Sequence, residues 1–259
     1  MKSLAELRVG LIGLGAIASR MAQLVRVDST SPIRLIGALV RDTRSQRAVD
    51  VPVVDSLAAL LDLRPDVVAE AAGHDALRRY GPACLRAGVP LVFLSVGALS
   101  DPAFERELSD AAQVGGVQAI VASGGVGGLD IIASLSEDRV EKVIHTIVKP
   151  PHALGIETEI YCELYRGPAR GAALKFPQNA NVAAAIAMAG IGLDLTTVVI
   201  ACDPAATTNR HEIEASGVCG RVAISIDNQP TPANPRTGAV VGASLKHALE
   251  RLARPIAIG

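Results

Sequence analysis

The sequence predicts an α/β fold: a doubly wound parallel sheet followed by a second α+β domain. Three observations predict it. The run Arg8 to Met21, RVGLIGLGAIASRM, reads as an apolar strand, a Gly13-Leu14-Gly15 turn and a helix in that order. Short apolar runs then alternate with helical segments as far as Ala122. After Gly128 the rhythm changes to strand-like runs with few helices between them.

The glycine turn carries the first chemical reading. Gly13 can take backbone angles that a Cβ forbids. Gly15 leaves room for a pyrophosphate to approach the main chain, and Ala18 is small enough for helix and strand to pack closely. The amides that open the helix, at Ala16 and Ile17, face the phosphates. G-x-G-x-x-A is a short motif, but between a strand and a helix it marks a Rossmann-type dinucleotide site.

A second strand follows at Ile33 to Val40. An acidic residue at the end of this strand favours NAD, whereas a guanidinium accepts the 2′-phosphate of NADP. Val40 and Arg41 stand there, with Asp42 and Arg44 beyond. Arg41 therefore points to NADP, Asp42 leaves NAD open, and the arginines also read as solvated loop charges. Val51 to Val54 is a short strand, and Ser56 caps a helix over Leu57 to Leu61. Pro65 to Ala72 reads as the next strand, ending at Gly73-His74. A helix over Asp75 to Ala87, a strand over Val89 to Ser95, a helix over Asp101 to Val114 and a strand over Val117 to Ala122 complete the alternation. Ligands bind beyond the carboxyl ends of such strands. Gly73, His74, Ser95, Val96 and Gly125 are the candidates there.

Beyond Gly128, helices are expected at Leu129 to Leu135, Ala169 to Lys175 and Asn181 to Met188. Strands are expected at Val140 to Lys149, Glu157 to Tyr165, Thr196 to Ala201, Arg210 to Ala215 and Arg221 to Asp227, which implies an antiparallel or mixed sheet. Gln229 to Pro235 reads as a stiff connector and Thr237 to Ala253 as a last helix packed on the first domain. The domains are thus 1–122 plus 236–259, for the dinucleotide, and 123–235, for substrate and dimerisation.

Composition narrows the classes. Aromatics are 2% of the 259 residues, which argues against the stacking platforms of single-strand nucleic-acid binders. A net charge of −1 supplies no field for DNA or an anionic membrane. The apolar run Val182 to Ile191 is too short to span a bilayer. Cys84, Cys162, Cys202 and Cys219 show neither a C-x-x-C pair nor zinc spacing, so no metal is expected. With no leader ahead of the first strand, the expected location is the cytoplasm.

Two clusters in the second domain offer chemistry. In Lys175-Phe-Pro-Gln-Asn179-Ala-Asn181, one asparagine suffices to cap the helix, and a second can pair with a carboxamide through its donor and acceptor. The other cluster ends in His211, at the start of a strand after a polar loop. Histidine exchanges protons near neutral pH, and His211 reads equally as a structural histidine.

The chain resembles the L-aspartate dehydrogenases. The resemblance rests on VGLIGLGAIA near the start, EAAGH at 70–74, SVGAL at 95–99, SGGVGGLD at 123–130 and KPP at 149–151. FPQNANVAA at 176–184, DPA at 203–205, NRH at 209–211 and NPRT at 234–237 extend it over nearly the whole length. It implies a Rossmann domain, a catalytic domain on an open mixed sheet, a homodimer, and a place in NAD biosynthesis. His211 would be the catalytic histidine, and Asn181 and Gly125 would contact NAD or NADP. The substrates implied are L-aspartate, oxaloacetate and ammonia, with Lys149, Lys175 and Asn179 as candidates for the carboxylates. Gly125 stands where the family more often has alanine, and Val40 where it usually has an acid. The alternatives are a dehydrogenase or reductase of another small dicarboxylate or amino acid, and a non-catalytic NAD(P)-binding regulator.

Overall fold

The computed structural model describes residues 6–44, 50–176, 180–231 and 234–256, with only the backbone of 234–237. It divides into two compact units, Met1–Gly124 with Val241–Gly259, and Gly125–Val240.

In the first unit, β1 (Leu7–Ile12), β2 (Ile33–Leu39), β3 (Val53–Val54), β4 (Val67–Glu70), β5 (Leu91–Phe93) and β6 (Ala119–Val121) form one parallel sheet in the order β3-β2-β1-β4-β5-β6. This is the order of dinucleotide-binding sheets, whose crevice opens between β1 and β4. Register aligns the strand ends: Ile12 lies beside Leu39 and Glu70, Glu70 beside Phe93, and Phe93 beside Val121. The segments that follow therefore leave the sheet along one edge.

The crossovers are α1 (Ala16–Val27), α2 (Leu57–Asp62), α3 (His74–Arg86) and α4 (Pro102–Gly115). Their ends have local causes. Ser56 accepts from the Ala59 amide at 3.3 Å and Asp101 from the Ala103 amide at 3.0 Å, and Gly116 stops α4 at φ 64°. The strands are shorter than the apolar runs that signalled them. Ala72 and Gly73 turn their amides to the Glu70 side chain after the last bond to β1, from the Ala71 amide to the Ile12 carbonyl, and Val96 to Ser100 form a 3-10 turn. Helix α9 (Val240–Arg251) seals this unit with Leu245 and Leu249, both fully buried against Val9, Ala18 and Met21. Lys246 Nζ pins it by donating to Asp28 and Glu250, each at 2.6 Å.

The second unit is built on β7 (Val140–Lys149), β8 (Cys162–Pro168), β9 (Thr197–Cys202), β10 (Asn209–Gly217) and β11 (Gly220–Asn228), in the order β11-β10-β7-β9-β8. Only β7 and β9 run parallel, so the sheet is mixed. Helices α5 (Leu129–Ser136) and α8 (Ala180–Ala189) cover one face, where Ile132, Leu135 and Ile186 pack on Val143, Ile213 and Ala215. The alanines of α8 let it approach closely; five of them are buried between Ala180 and Ala187. Helices α6 (Pro151–Leu154) and α7 (Ala169–Lys175) complete the unit.

Two segments differ from the sequence expectation. The stretch expected as a connector pairs instead, as β12 (Pro230–Thr231) with β13 (Asn234–Gly238). Residues 157–161, expected to open a strand, do not join the ladder. Thr158 Oγ1 donates to the Ile160 carbonyl at 3.0 Å and accepts from its amide at 3.3 Å, taking groups that a ladder needs.

Candidate active site

The glycine turn of the first unit has the geometry of a phosphate cradle. Gly13 sits at φ 89°, and a Cβ there would stand 2.6 Å from Ala72 Cβ. Its amide donates to the Leu39 carbonyl at 2.9 Å, which fixes the turn against β2. Gly15 precedes α1 without a side-chain cap, and a Cβ built on it meets nothing within 4 Å. The turn is thus closed at Gly13 and open at Gly15. The first amides of α1, at Ala16 and Ile17, lack intrahelical acceptors and make a ready anion site. These features fit a dinucleotide.

Sequence reasoning did not single out Glu70 as a site residue. Its side chain is fully buried at the end of β4. Oε1 accepts from the Ala72 amide at 2.6 Å, the Gly73 amide at 2.8 Å and Ser95 Oγ at 2.8 Å, while Oε2 accepts from the Ser95 amide at 3.2 Å. One carboxylate so ties the segment after β4 to the segment after β5. It holds Gly73 at φ 108° at the head of α3, with His74 as the first helical residue. Ser95 and Val96 are buried beside it. The signal in the sequence is a lone acid closing an otherwise apolar strand. Arg41 follows β2 and is exposed, and Asp42 beside it accepts from the Arg44 amide at 2.9 Å.

In the second unit the structure joins two histidines that lie 66 residues apart. Strands β7 and β10 pair antiparallel with Ile213 opposite His145 and His211 opposite Ile147, so both imidazoles project from the helix-covered face. His145 Nε2 and His211 Nδ1 are 3.0 Å apart, and the rings stack at 25° with centroids 5.3 Å apart. His145 is fully buried and His211 is 8% exposed. Lys149 lies on the same face at the end of β7, beside Cys202 of β9.

The electrostatics follow from this burial. Desolvation, then the neighbouring Lys149 charge, push His211 from 6.5 down to about 4. His145 is held well below its usual range by burial, then by His211. Burial also lowers Lys149. Both histidines are uncharged in the folded protein near neutral pH and become charged on unfolding below about pH 6.5. The unfolded chain then binds more protons, so stability is full above that pH and falls as pH drops toward 4. His211 alone contributes on the order of 3 kcal/mol to that fall. Urea midpoints measured from pH 7.5 to 4.5 are expected to decline less steeply in His211→Gln than in the wild type.

The remaining candidates are distributed as follows. Gly125 is buried, and its carbonyl accepts from Asn228 Nδ2 at 2.7 Å. Asn181 lies in the first turn of α8. Asn179 lies outside the described residues. Lys175 is exposed at the end of α7, its Nζ 5.5 Å from the Tyr165 ring centre on edge strand β8. Strands β7 and β9 stand between that edge and His211, so Lys175 does not join the Lys149 group. His152 and His247 are exposed. Among the described residues no cluster of His, Cys, Asp or Glu could hold a metal ion, and no helix is long and apolar enough to cross a membrane.

A parallel sheet in this order and a glycine turn of this shape define a Rossmann-type dinucleotide-binding fold, joined to a mixed-sheet unit that buries a histidine pair. Residues 130–252 match the family model described as aspartate dehydrogenase, C-terminal, and residues 13–122 match that of the homoserine dehydrogenase NAD binding domain. L-aspartate dehydrogenase 2 of Bordetella bronchiseptica is 38% identical over 97% of this chain and 99% of its own length. L-aspartate dehydrogenase of Ruegeria pomeroyi is 40% identical over 95% of this chain and 92% of its own. The crystal structure of aspartate dehydrogenase from Thermotoga maritima superposes with a TM-score of 0.83 at 25% identity, covering 98% of this chain and 99% of that one. The chain belongs to the L-aspartate dehydrogenase family.

Proposed function

We propose that this chain catalyses the reversible, NAD(P)-dependent oxidative deamination of L-aspartate to iminosuccinate, which water converts to oxaloacetate and ammonia. The observation that carries this reading is the buried pair His145–His211 with Lys149 on one sheet face, in a chain of this family. The glycine turn, the α1 amides and the Glu70-braced segments through Gly73, His74, Ser95 and Val96 hold the coenzyme, and the family resemblance assigns Gly125 and Asn181 to it as well. When bound, the nicotinamide supplies the hydride acceptor.

L-Aspartate arrives as an ammonium, which has no lone pair to drive C=N formation as the Cα hydrogen leaves. His211 Nε2 takes a proton from the ammonium, and once it has passed that proton to solvent the same nitrogen activates the water that hydrolyses the imine. Lys149, half-buried and on the same face, receives a substrate carboxylate. Arg41, exposed beyond β2, accepts a 2′-phosphate, so NADP is used at least as well as NAD. The chain works as a homodimer in the cytoplasm, feeding NAD biosynthesis. In support of a dimer, the sheet face opposite the histidines leaves Ala223 and Ser225 exposed and Ile144 and Thr146 half-exposed.

Incubation with L-aspartate and each coenzyme, followed by absorbance of the reduced nicotinamide, tests this. Turnover is expected, with a KM for NADP no higher than for NAD. Strict NAD preference removes the role of Arg41. Coenzyme binding without turnover of aspartate removes the enzymatic reading.

A further inference from the structure

A second histidine, His145, is sealed behind His211. We propose that His145 is a positioning residue for this reaction: by bonding Nδ1 of His211 it fixes the ring and leaves Nε2 as the nitrogen that meets the substrate. The inference rests on the proposed role of His211 as proton acceptor.

Geometry carries it. His145 lies on the middle strand of the sheet and is fully buried, so its ring cannot swing away. Its Nε2 stands 3.0 Å from His211 Nδ1, and its own Nδ1 is sealed without a partner among the described residues. His211, by contrast, keeps 8% exposure. For Nε2 to accept a proton, Nδ1 of His211 must carry the hydrogen and donate it to Nε2 of His145. A histidine oriented by a carboxylate has an anion to stabilise its imidazolium. Here the orienting group is a neutral ring.

The surrounding charges sharpen the point. Lys149, from the end of β7, is the cation that acts on His211. Arg210 and Glu212, the neighbours of His211 on β10, alternate to the other face and pair with each other at 2.7 Å, and Asp203 lies 4.0 Å from Arg210. On β11, Asp227 stands opposite Arg210 on that same outer face. Cys202 on β9 and Asn181 on α8 bring no formal charge, and Asp130 in the first turn of α5 is exposed. Burial and the Lys149 charge therefore hold His211 uncharged near neutral pH. The two carboxylates of the substrate outweigh its ammonium and supply the negative charge that the pair lacks, so the proton acceptor gains basicity when the substrate binds.

The test compares His145→Leu, which removes the bonding group, with His145→Gln, whose amide reaches the Nε2 position. Nitrogen-15 spectra of labelled histidine report the His211 tautomer, and steady-state kinetics report kcat and coenzyme KM. The wild type is expected to show His211 in one dominant neutral tautomer. His145→Leu is expected to give averaged nitrogen shifts for His211 and a kcat lower by about 10- to 100-fold, with coenzyme KM unchanged. His145→Gln is expected to recover most of both. A folded His145→Leu protein with the wild-type His211 spectrum and kcat overturns the proposal, as does a Gln variant no better than Leu. If the Leu variant does not fold, His145→Asn takes its place: its amide stops short at the Nδ1 position, and equal behaviour of Asn and Gln overturns the proposal. The spectra need no turnover, so inactivity toward L-aspartate counts against the proposed function while the tautomer still decides the role of His145.

Discussion

His211→Ala is expected to lower kcat with L-aspartate by about 10²- to 10⁴-fold, the usual contribution of a positioned general base. Coenzyme affinity is expected to stay at the wild-type value, because the glycine turn and the Glu70 hub belong to the other compact unit. The split between an affected kcat and an unaffected coenzyme KM separates loss of a proton acceptor from loss of the fold. His211 is nearly buried against His145, so the alanine variant also leaves a cavity and a lone imidazole behind it. Thermal unfolding measured beside the kinetics accounts for that part. Wild-type turnover from a folded His211→Ala protein rules out the proposed role.

Glu70→Gln is expected to damage the other unit. Four donors converge on the Glu70 carboxylate, three of them backbone amides. The amide group of glutamine turns one acceptor into a donor, and either orientation sets it against a backbone N–H. Leaving such a donor unsatisfied inside the protein costs about 1–3 kcal/mol. The loss falls on the segments after β4 and β5, which leave the same sheet edge as the glycine turn. A lower unfolding midpoint and at least about tenfold weaker coenzyme binding are expected, tenfold corresponding to about 1.4 kcal/mol. Titration of protein fluorescence or heat with each coenzyme measures the second effect. Unchanged affinity at reduced stability would confine Glu70 to a structural part.

The first unit was the more legible in the sequence. Parallel strands covered on both faces become unbroken apolar runs, as in Val67-Val68-Ala69 and Leu91-Val92-Phe93. The φ of 89° at Gly13 was readable because few residues other than glycine tolerate it. Glu70 was hidden for a physical reason. A carboxylate that gathers backbone amides looks in sequence like one that faces water, since amides carry no residue code. The His145–His211 contact was hidden because it depends on the register of β7 against β10, and alternation fixes a face without fixing a register. His211 itself stood out through its place after a polar loop and through the NRH match. The β12–β13 hairpin was masked by Pro230 and Pro235, residues that demote a run as a strand.

The proposed reaction turns on removal of the Cα hydrogen of L-aspartate with the help of an imidazole. Following label from L-aspartate deuterated at Cα tests it most directly. Each turnover of the wild type is predicted to leave one deuterium in the recovered reduced coenzyme, and the His211→Ala protein is predicted to deliver the same label far more slowly. Reduced coenzyme free of deuterium, or label delivered equally fast by the alanine variant, would contradict it.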